Sequence, residues 1–291
     1  MKKTKLTRKI KKAQKQREHL ATTGTNVIPF QRNSRSTPSP SARQYPVRVL
    51  SYNIHKGFTT GNRRFILDRI RDAIRTMEPD LVLLQEVLGE HTKHAEKYKD
   101  WPGLPQFDYL AHELWPHVAY GKNAVYGAGH HGNAILSKYP FRLVENIDVS
   151  TNKLEKRGVL HAIIEVPGQH RPVHAICVHL GLFEAERQTQ IRSLCARIET
   201  HVPHEDPLVI GGDFNDWMLK CSRPLQRLLD VREAFAESAG AHAKTFPSWM
   251  PSLRLDRIYY RGMDLGSTQV LTGKPWSQLS DHVALYAELS I

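Results

Sequence analysis

Cysteine is scarce in this chain of 291 residues. Cys177, Cys195 and Cys221 are odd in number, widely spaced and without a CxxC pattern. That excludes a disulfide framework and a thiolate zinc cluster, and it fits a reducing, intracellular setting. Long apolar runs are missing too. No stretch is long enough to cross a bilayer, and the basic start of the chain lacks the apolar core of a secretory signal, so the expected location is cytoplasmic. There is no G-x-x-x-x-G-K-[ST] loop and no GxSxG turn, which removes support for Walker-type phosphotransfer and for serine hydrolysis. Between residues 46 and 291 no internal repeat and no Pro/Gly/Ser-rich linker interrupts the pattern. With 40% hydrophobic residues, that span is read as one α/β domain.

The charge is abundant but unevenly placed. The formal net charge is +12. Residues 1–45 hold 12 Lys+Arg against the single acid Glu18, leaving 29 basic and 28 acidic residues from 46 onward. The arm thus carries +11 and the body +1. The opening MKKTKLTRKIKKAQKQREH gives way to NSRSTPSPSARQYP, which has no periodicity. Residues 1–45 are read as a mobile basic arm, serving either as a solubility tail or as an attachment to nucleic acid or an anionic membrane surface.

From Tyr45-Pro46 short apolar strands alternate with amphipathic helices. Strands are expected at 47–54, 80–87, 133–138, 159–166, 173–179, 207–214, 255–260 and 282–289. Helices are expected at 63–77, where Ile66, Ile70, Ile74 and Met77 keep helical spacing before Pro79, and at 184–200 and 222–230. Polar residues fall where these strands begin or end. Asn53, Glu86, His179, Asp213 and Asn215 sit at strand ends, Asp256 begins a strand, and Asp281-His282 opens the last. A buried strand that ends in an ionisable group is costly unless such ends converge on a shared site. Open α/β sheets gather ligands at strand ends. Taken alone, VIGGDFND at 209–216 reads first as a tight turn.

The ordered blocks SYNIHKG, DLVLLQEV, GNAILSKYP, KRGVLHAIIEV, VHLGL, GGDFND, RLDRIYY and LSDHVALYAEL resemble the endonuclease/exonuclease/phosphatase superfamily, the metal-dependent phosphoesterases that include deoxyribonuclease I-like nucleases and neutral sphingomyelinases. The resemblance covers about residues 46–291 and is closest to small bacterial members. It implies a four-layer α/β/β/α sandwich of two mixed sheets with helices outside. It implies Mg²⁺ or Mn²⁺ held by Glu86 with Asn53 and Asp281, and Asp213 orienting and deprotonating a water. Asn215 holds that water or a phosphate oxygen, and His282, oriented by Asp256, is a positive donor to the phosphate. Arg157 and His179 add phosphate contacts, and His179 is a candidate to protonate the leaving oxygen. The implied reaction is hydrolysis of a phosphodiester or phosphomonoester by a monomer. A lipid-linked or small substrate is expected, at the inner membrane surface, with DNA or RNA as the alternative and a scaffold without activity behind both.

Some residues stay ambiguous. His55 shares strand parity with Asn53. His130-His131 form an adjacent pair that favours a loop role over metal binding. Asn133 is a candidate to help hold the site, and Trp249 reads equally as a groove residue or as core.

Overall fold

The computed structural model describes residues 45–152 and 155–291, so the basic arm expected at 1–45 lies, but for Tyr45, outside the described residues. Two six-stranded sheets form the body. The first runs in the order β11 (Asp264–Leu271), β12 (Ala284–Ser290), β1 (Pro46–Asn53), β2 (Leu81–His91), β4 (Gly129–Ser137), β3 (His117–Tyr126). The second runs β5 (Phe141–Asp148), β6 (Gly158–Ile164), β7 (Val173–His179), β8 (Leu208–Asp213), β10 (Asp256–Arg261), β9 (Arg232–Glu233). Each sheet carries one parallel pair inside, β1 with β2 and β7 with β8, and is otherwise antiparallel. A parallel pair needs a long crossover. The helices α1 (Leu67–Thr76) and α4 (Glu184–His201) lie within these crossovers.

Strand alternation sorts the side chains into layers. Val47 and Val49 of β1, Leu83 of β2, Ala175 and Cys177 of β7, Val209 of β8 and Ile258 of β10 join one buried cluster between the sheets. The opposite face of the first sheet, with Leu50, Tyr52, Val82 and Leu84, packs on Leu67, Ile70 and Ile74 of α1. The outer face of the second sheet, with Ile176, Val178 and Ile210, packs on Ile191, Leu194 and Ile198 of α4 and on Leu225 of α5 (Ser222–Leu229). The expected four layers are present. Among the described residues, no helix is long and apolar enough to cross a membrane.

The same parity positions the polar residues. Asn53 continues the inward series of Val47 and Val49, His179 that of Ala175 and Cys177, and Asp213 that of Val209. At one end of the sandwich, therefore, the layer between the sheets changes from aliphatic to polar. Glu86 would face outward like Leu84, but β2 bulges between Leu84 and Val87, with Glu86 itself at φ 55°. The extra residue lets Gln85 and Glu86 lie between two outward positions, and such bulges re-aim side chains beside functional sites. Gly211 has a separate reason. A Cβ there would lie 2.6 Å from Leu83 Cδ1 of the facing sheet, so any larger residue would make the Leu83 side chain shift beside Asp213.

Three differences from the expected elements have local causes. The first helix begins at Leu67 rather than Arg63, because Phe65 forms a bridge with Phe58 and Ile66 N donates to Gly57 O. His130 and His131 lie in a strand, β4, not in a loop. His282 precedes β12 instead of opening it.

The outer face of the second sheet buries His161 and His174, joined Nε2 to Nδ1 at 2.9 Å. Burial and the neighbouring His174 lower the pKa of His161 to about 4, against the pull of Glu145. Burial also lowers that of His174, against Asp206. A histidine with a depressed folded pKa makes the unfolded chain bind more protons between that value and about 6.5, so stability falls as pH drops through this window. For His161 alone the loss is on the order of 3 kcal/mol by pH 4. Urea unfolding midpoints should fall between pH 7 and pH 4.5, with a smaller slope in His161→Gln; equal slopes in the two proteins would contradict the assignment.

Candidate active site

Asp213 is the hub of the polar end of the sandwich. Its carboxylate is buried, and groups from four segments face it. Asn53 Nδ2 donates to Oδ2 at 3.2 Å, and Asn215 N donates to Oδ1 at 2.9 Å. His179 Nε2 lies 3.5 Å and His282 Nε2 3.8 Å from Oδ2. His282 Nδ1 in turn meets Asp256 Oδ2 at 2.7 Å. Asp256 pairs with Asp213 across the β8–β10 ladder, so the strand register itself delivers both acids to His282. Burial alone pushes the His282 pKa down, but Asp256 and Asp213 outweigh it and raise it, which keeps the ring cationic. Burial raises Asp213 against the attraction of the same imidazolium.

A second group forms around Glu86. Asn53 Nδ2 reaches Glu86 Oε1 at 3.4 Å, and Lys56 Nζ stands 2.6 Å from Oε2. Burial pushes the carboxyl up, but the Lys56 ammonium outweighs it and holds Glu86 ionised, well below the usual carboxylate range. Lys56 reaches back because His55, Lys56 and Gly57 all have positive φ, at 45°, 57° and 80°. Gln106, from α3 (Gln106–Ala111), clamps the turn by donating to Lys56 O at 2.7 Å and accepting from Leu88 N at 2.9 Å.

The expected residues thus converge, with differences in detail. Arg157 reaches His179 Nδ1 at 3.4 Å and pairs with Glu155, while its buried Nε finds no partner among the described residues. Burial and Arg157 lower the pKa of His179 well below its usual value, so the ring is neutral. Asn215 donates its amide to Leu180 O at 2.9 Å. Asp281 sits at the margin, 3.6 Å from His55 Nδ1, and is joined to the centre through Ser280, whose hydroxyl contacts Asn53 O at 2.7 Å and Asp281 Oδ1 at 3.2 Å. Asn133 holds Gly158 O and Cys177 O across the sheets. His130 turns away to Tyr120 Oη at 2.9 Å. His131 feels Lys56, Glu86 and Arg157, and burial lowers its pKa to about 4. Trp249 is exposed, not core.

Lys56, Ser280 and Glu155 were not singled out in the sequence. Lys56 and Ser280 lie inside SYNIHKG and LSDHV, yet a loop lysine reads as a solvent charge until the left-handed turn bends it inward. A surface cavity of about 340 Å³ with Val202, Leu229 and Arg261 in its lining is at the other end of the second sheet, since Arg261 pairs with Leu208 at the far end from Asp213. Its lining also includes Glu199, His201 and His204, none of which belongs to the groups around Asp213 and Glu86.

Asp213, Asp256 and His282 offer ligand atoms all within 4.8 Å of one another, a grouping that can hold a metal ion. The set lies at one edge of the two-sheet α/β sandwich. The profile of the Endonuclease/Exonuclease/phosphatase family matches residues 50–282. The chain belongs to that family, whose members are generally metal-dependent phosphoesterases. It is 45% identical over 249 residues to YbhP of Escherichia coli (strain K12), covering 86% of this chain and 98% of YbhP. Among solved structures it resembles an endonuclease/exonuclease/phosphatase from Beutenbergia cavernae DSM 12333, with TM-score 0.69 and 21% identity, over 84% of this chain and 72% of that one. It also resembles a mannosyl-6-phosphatase of Bacteroides thetaiotaomicron VPI-5482, with TM-score 0.62 and 15% identity, over 84% and 99%.

The geometry predicts that Asp256→Asn lowers the His282 pKa, because it removes the charge that most favours the imidazolium. Nitrogen-15 ring shifts should show His282 doubly protonated at pH 7 in the wild type, and with a lower pKa in the variant. Identical titration in both would refute the assignment.

Proposed function

We propose that the protein is a divalent-metal-dependent phosphodiesterase that takes a lipid-linked or small soluble diester. The observation that carries this reading is the Asp256–His282–Asp213 chain beside ionised Glu86. In it, Asp213 orients a water and accepts its proton as the water attacks phosphorus and the P–O bond to the leaving alcohol breaks, the departing alkoxide taking its proton from solvent. His282, held cationic by Asp256, donates from Nε2 to a non-bridging oxygen on which charge accumulates. Arg157 brings its unspent Nε–H to the same phosphate. His179, held neutral, acts as a hydrogen-bond donor, and its environment argues against a role as the acid for the leaving oxygen.

The donors suit a hard cation. An ammonium already rests on the Glu86 carboxylate. We assign Mg²⁺ or Mn²⁺ to Glu86 with Asn53 and Asp281, because Asp256 and His282 are engaged with each other and a protonated ring offers no lone pair. When bound, the ion supplies Lewis acidity and neutralises phosphate charge. The +11 of residues 1–45, outside the described region, attracts any polyanion, so action on DNA or RNA is the second reading. The near-neutral body favours the first, as a nuclease groove needs cationic tracks along the backbone. We read the protein as a monomer, cytoplasmic and peripheral at the inner membrane surface.

Hydrolysis of bis-p-nitrophenyl phosphate should require Mg²⁺ or Mn²⁺ and stop with EDTA. Asp213→Asn and His282→Ala should each lower turnover by roughly 10² or more with the fold intact, whereas Glu86→Gln should chiefly weaken metal affinity and recover at higher metal. EDTA-resistant turnover, or full activity in Asp213→Asn, would sink the mechanism.

A further inference from the structure

Exposed large apolar side chains lie on the loops that leave the second sheet at the end holding the site. Among the described residues, fifteen large hydrophobic side chains are exposed, and eight of them fall in three segments. Leu182-Phe183 follow β7, Trp217-Met218-Leu219 follow β8, and Trp249-Met250 with Leu253 precede β10. His179 pairs with Asp213, and Asp213 with Asp256, so all three segments leave the second sheet at the edge that holds the site. They are rooted there. Arg187, itself buried, binds Gly181 O and Leu182 O and lies 4.7 Å over the Trp217 ring. Ser248, next to Trp249, donates from N to Asp281 O at 2.7 Å and from Oγ to Ser280 O at 2.6 Å.

Apolar side chains grouped in this way mark a docking surface. Their composition narrows the occupant. Trp is amphipathic and settles at headgroup depth, and exposed Lys220 and Lys244 flank the tips with flexible stems and charges that complement phosphate headgroups. Trp-Met recurs in Trp217-Met218-Leu219-Lys220 and in Trp249-Met250 ahead of Leu253-Arg254. A nucleic acid backbone would ask for more charge than this body offers.

We infer that this rim is a lipid-surface docking site that brings Asp213, Arg157 and His282 to the phosphates of membrane lipids. The inference rests on the phosphodiesterase reading and narrows its substrate to a diester presented at a bilayer. Attachment is interfacial and adds to any electrostatic attraction of the arm.

The full-length protein and Trp217→Ser/Trp249→Ser are sedimented with sucrose-loaded vesicles of phosphatidylcholine and phosphatidylglycerol, at physiological salt and at 1 M salt. At high salt the screening length is about 3 Å, which silences the arm. The wild type should still partition, and the double variant should do so roughly tenfold or more weakly, the order expected when two large side chains no longer leave water. Turnover of bis-p-nitrophenyl phosphate should be equal in both, which also shows the variant is folded. Equal partition of the two proteins at high salt, or none by the wild type, overturns the inference. So does a loss confined to single-stranded oligonucleotide binding or to self-association. A wild type that partitions as expected but hydrolyses no soluble diester strikes the phosphodiesterase reading and leaves the docking surface standing.

Discussion

A carboxylate with almost no exposure to water must be compensated, and Asp213 is the group around which this end of the molecule is built. Stripping solvent from an unpaired carboxylate costs several kcal/mol. Here the compensation comes from Asn53 of the facing sheet, His179 of the adjacent strand, the backbone of Asn215 and the imidazolium of His282. Asp256 stabilises that imidazolium. The arrangement demands two sheets close together at one edge, where Gly211 leaves room for the Leu83 side chain, and it demands that the parallel pairs of both sheets finish at that edge. The fold is the means of holding these charges apart from water and close to one another.

Much of this was legible in the sequence because period-two alternation carries through to the site. Val47, Val49 and Asn53 lie on one face, as do Ala175, Cys177 and His179, so an apolar series that ends in a polar residue marks the strand terminus as chemical. The core strands and the three main helices are strongly apolar on their buried faces, and their ranges match closely. What escaped were the strands β3, β5, β9 and β11 and the short helices Thr92–Lys97, Gln106–Ala111 and Ala234–Ala239. β3 and β11 are edge strands, and β5 is the edge of the second sheet; along much of their length they face solvent. Their apolar residues are few and mostly half-exposed, so the alternation is weak, although Ala119, Phe141, Leu265 and Val270 still pack into the core between the sheets.

The site's finer geometry was hidden for a different reason. Glu86 stood out as a strand-end acid, but alternation alone sends it to the helix side with Leu84; only the bulge turns it inward. Lys56 looked like solvent charge, yet three consecutive left-handed residues fold it onto Glu86. A change in backbone hand at one residue reverses which face a side chain serves, and period-based reading assumes a constant hand. The exposed Trp249 likewise could not be told from core by residue type, since tryptophan serves both places; its loop position decides it.

The Lys56–Glu86 pair gives the account its most direct test. If the lysine ammonium rests where a catalytic cation belongs, a crystal of the full chain soaked in Mn²⁺ should show an anomalous scattering peak beside the Glu86 carboxylate, with Lys56 turned away from it. No peak between the sheets in an active preparation, with Lys56 still on Glu86, would contradict the claim that this polar edge is a metal-dependent phosphoester site.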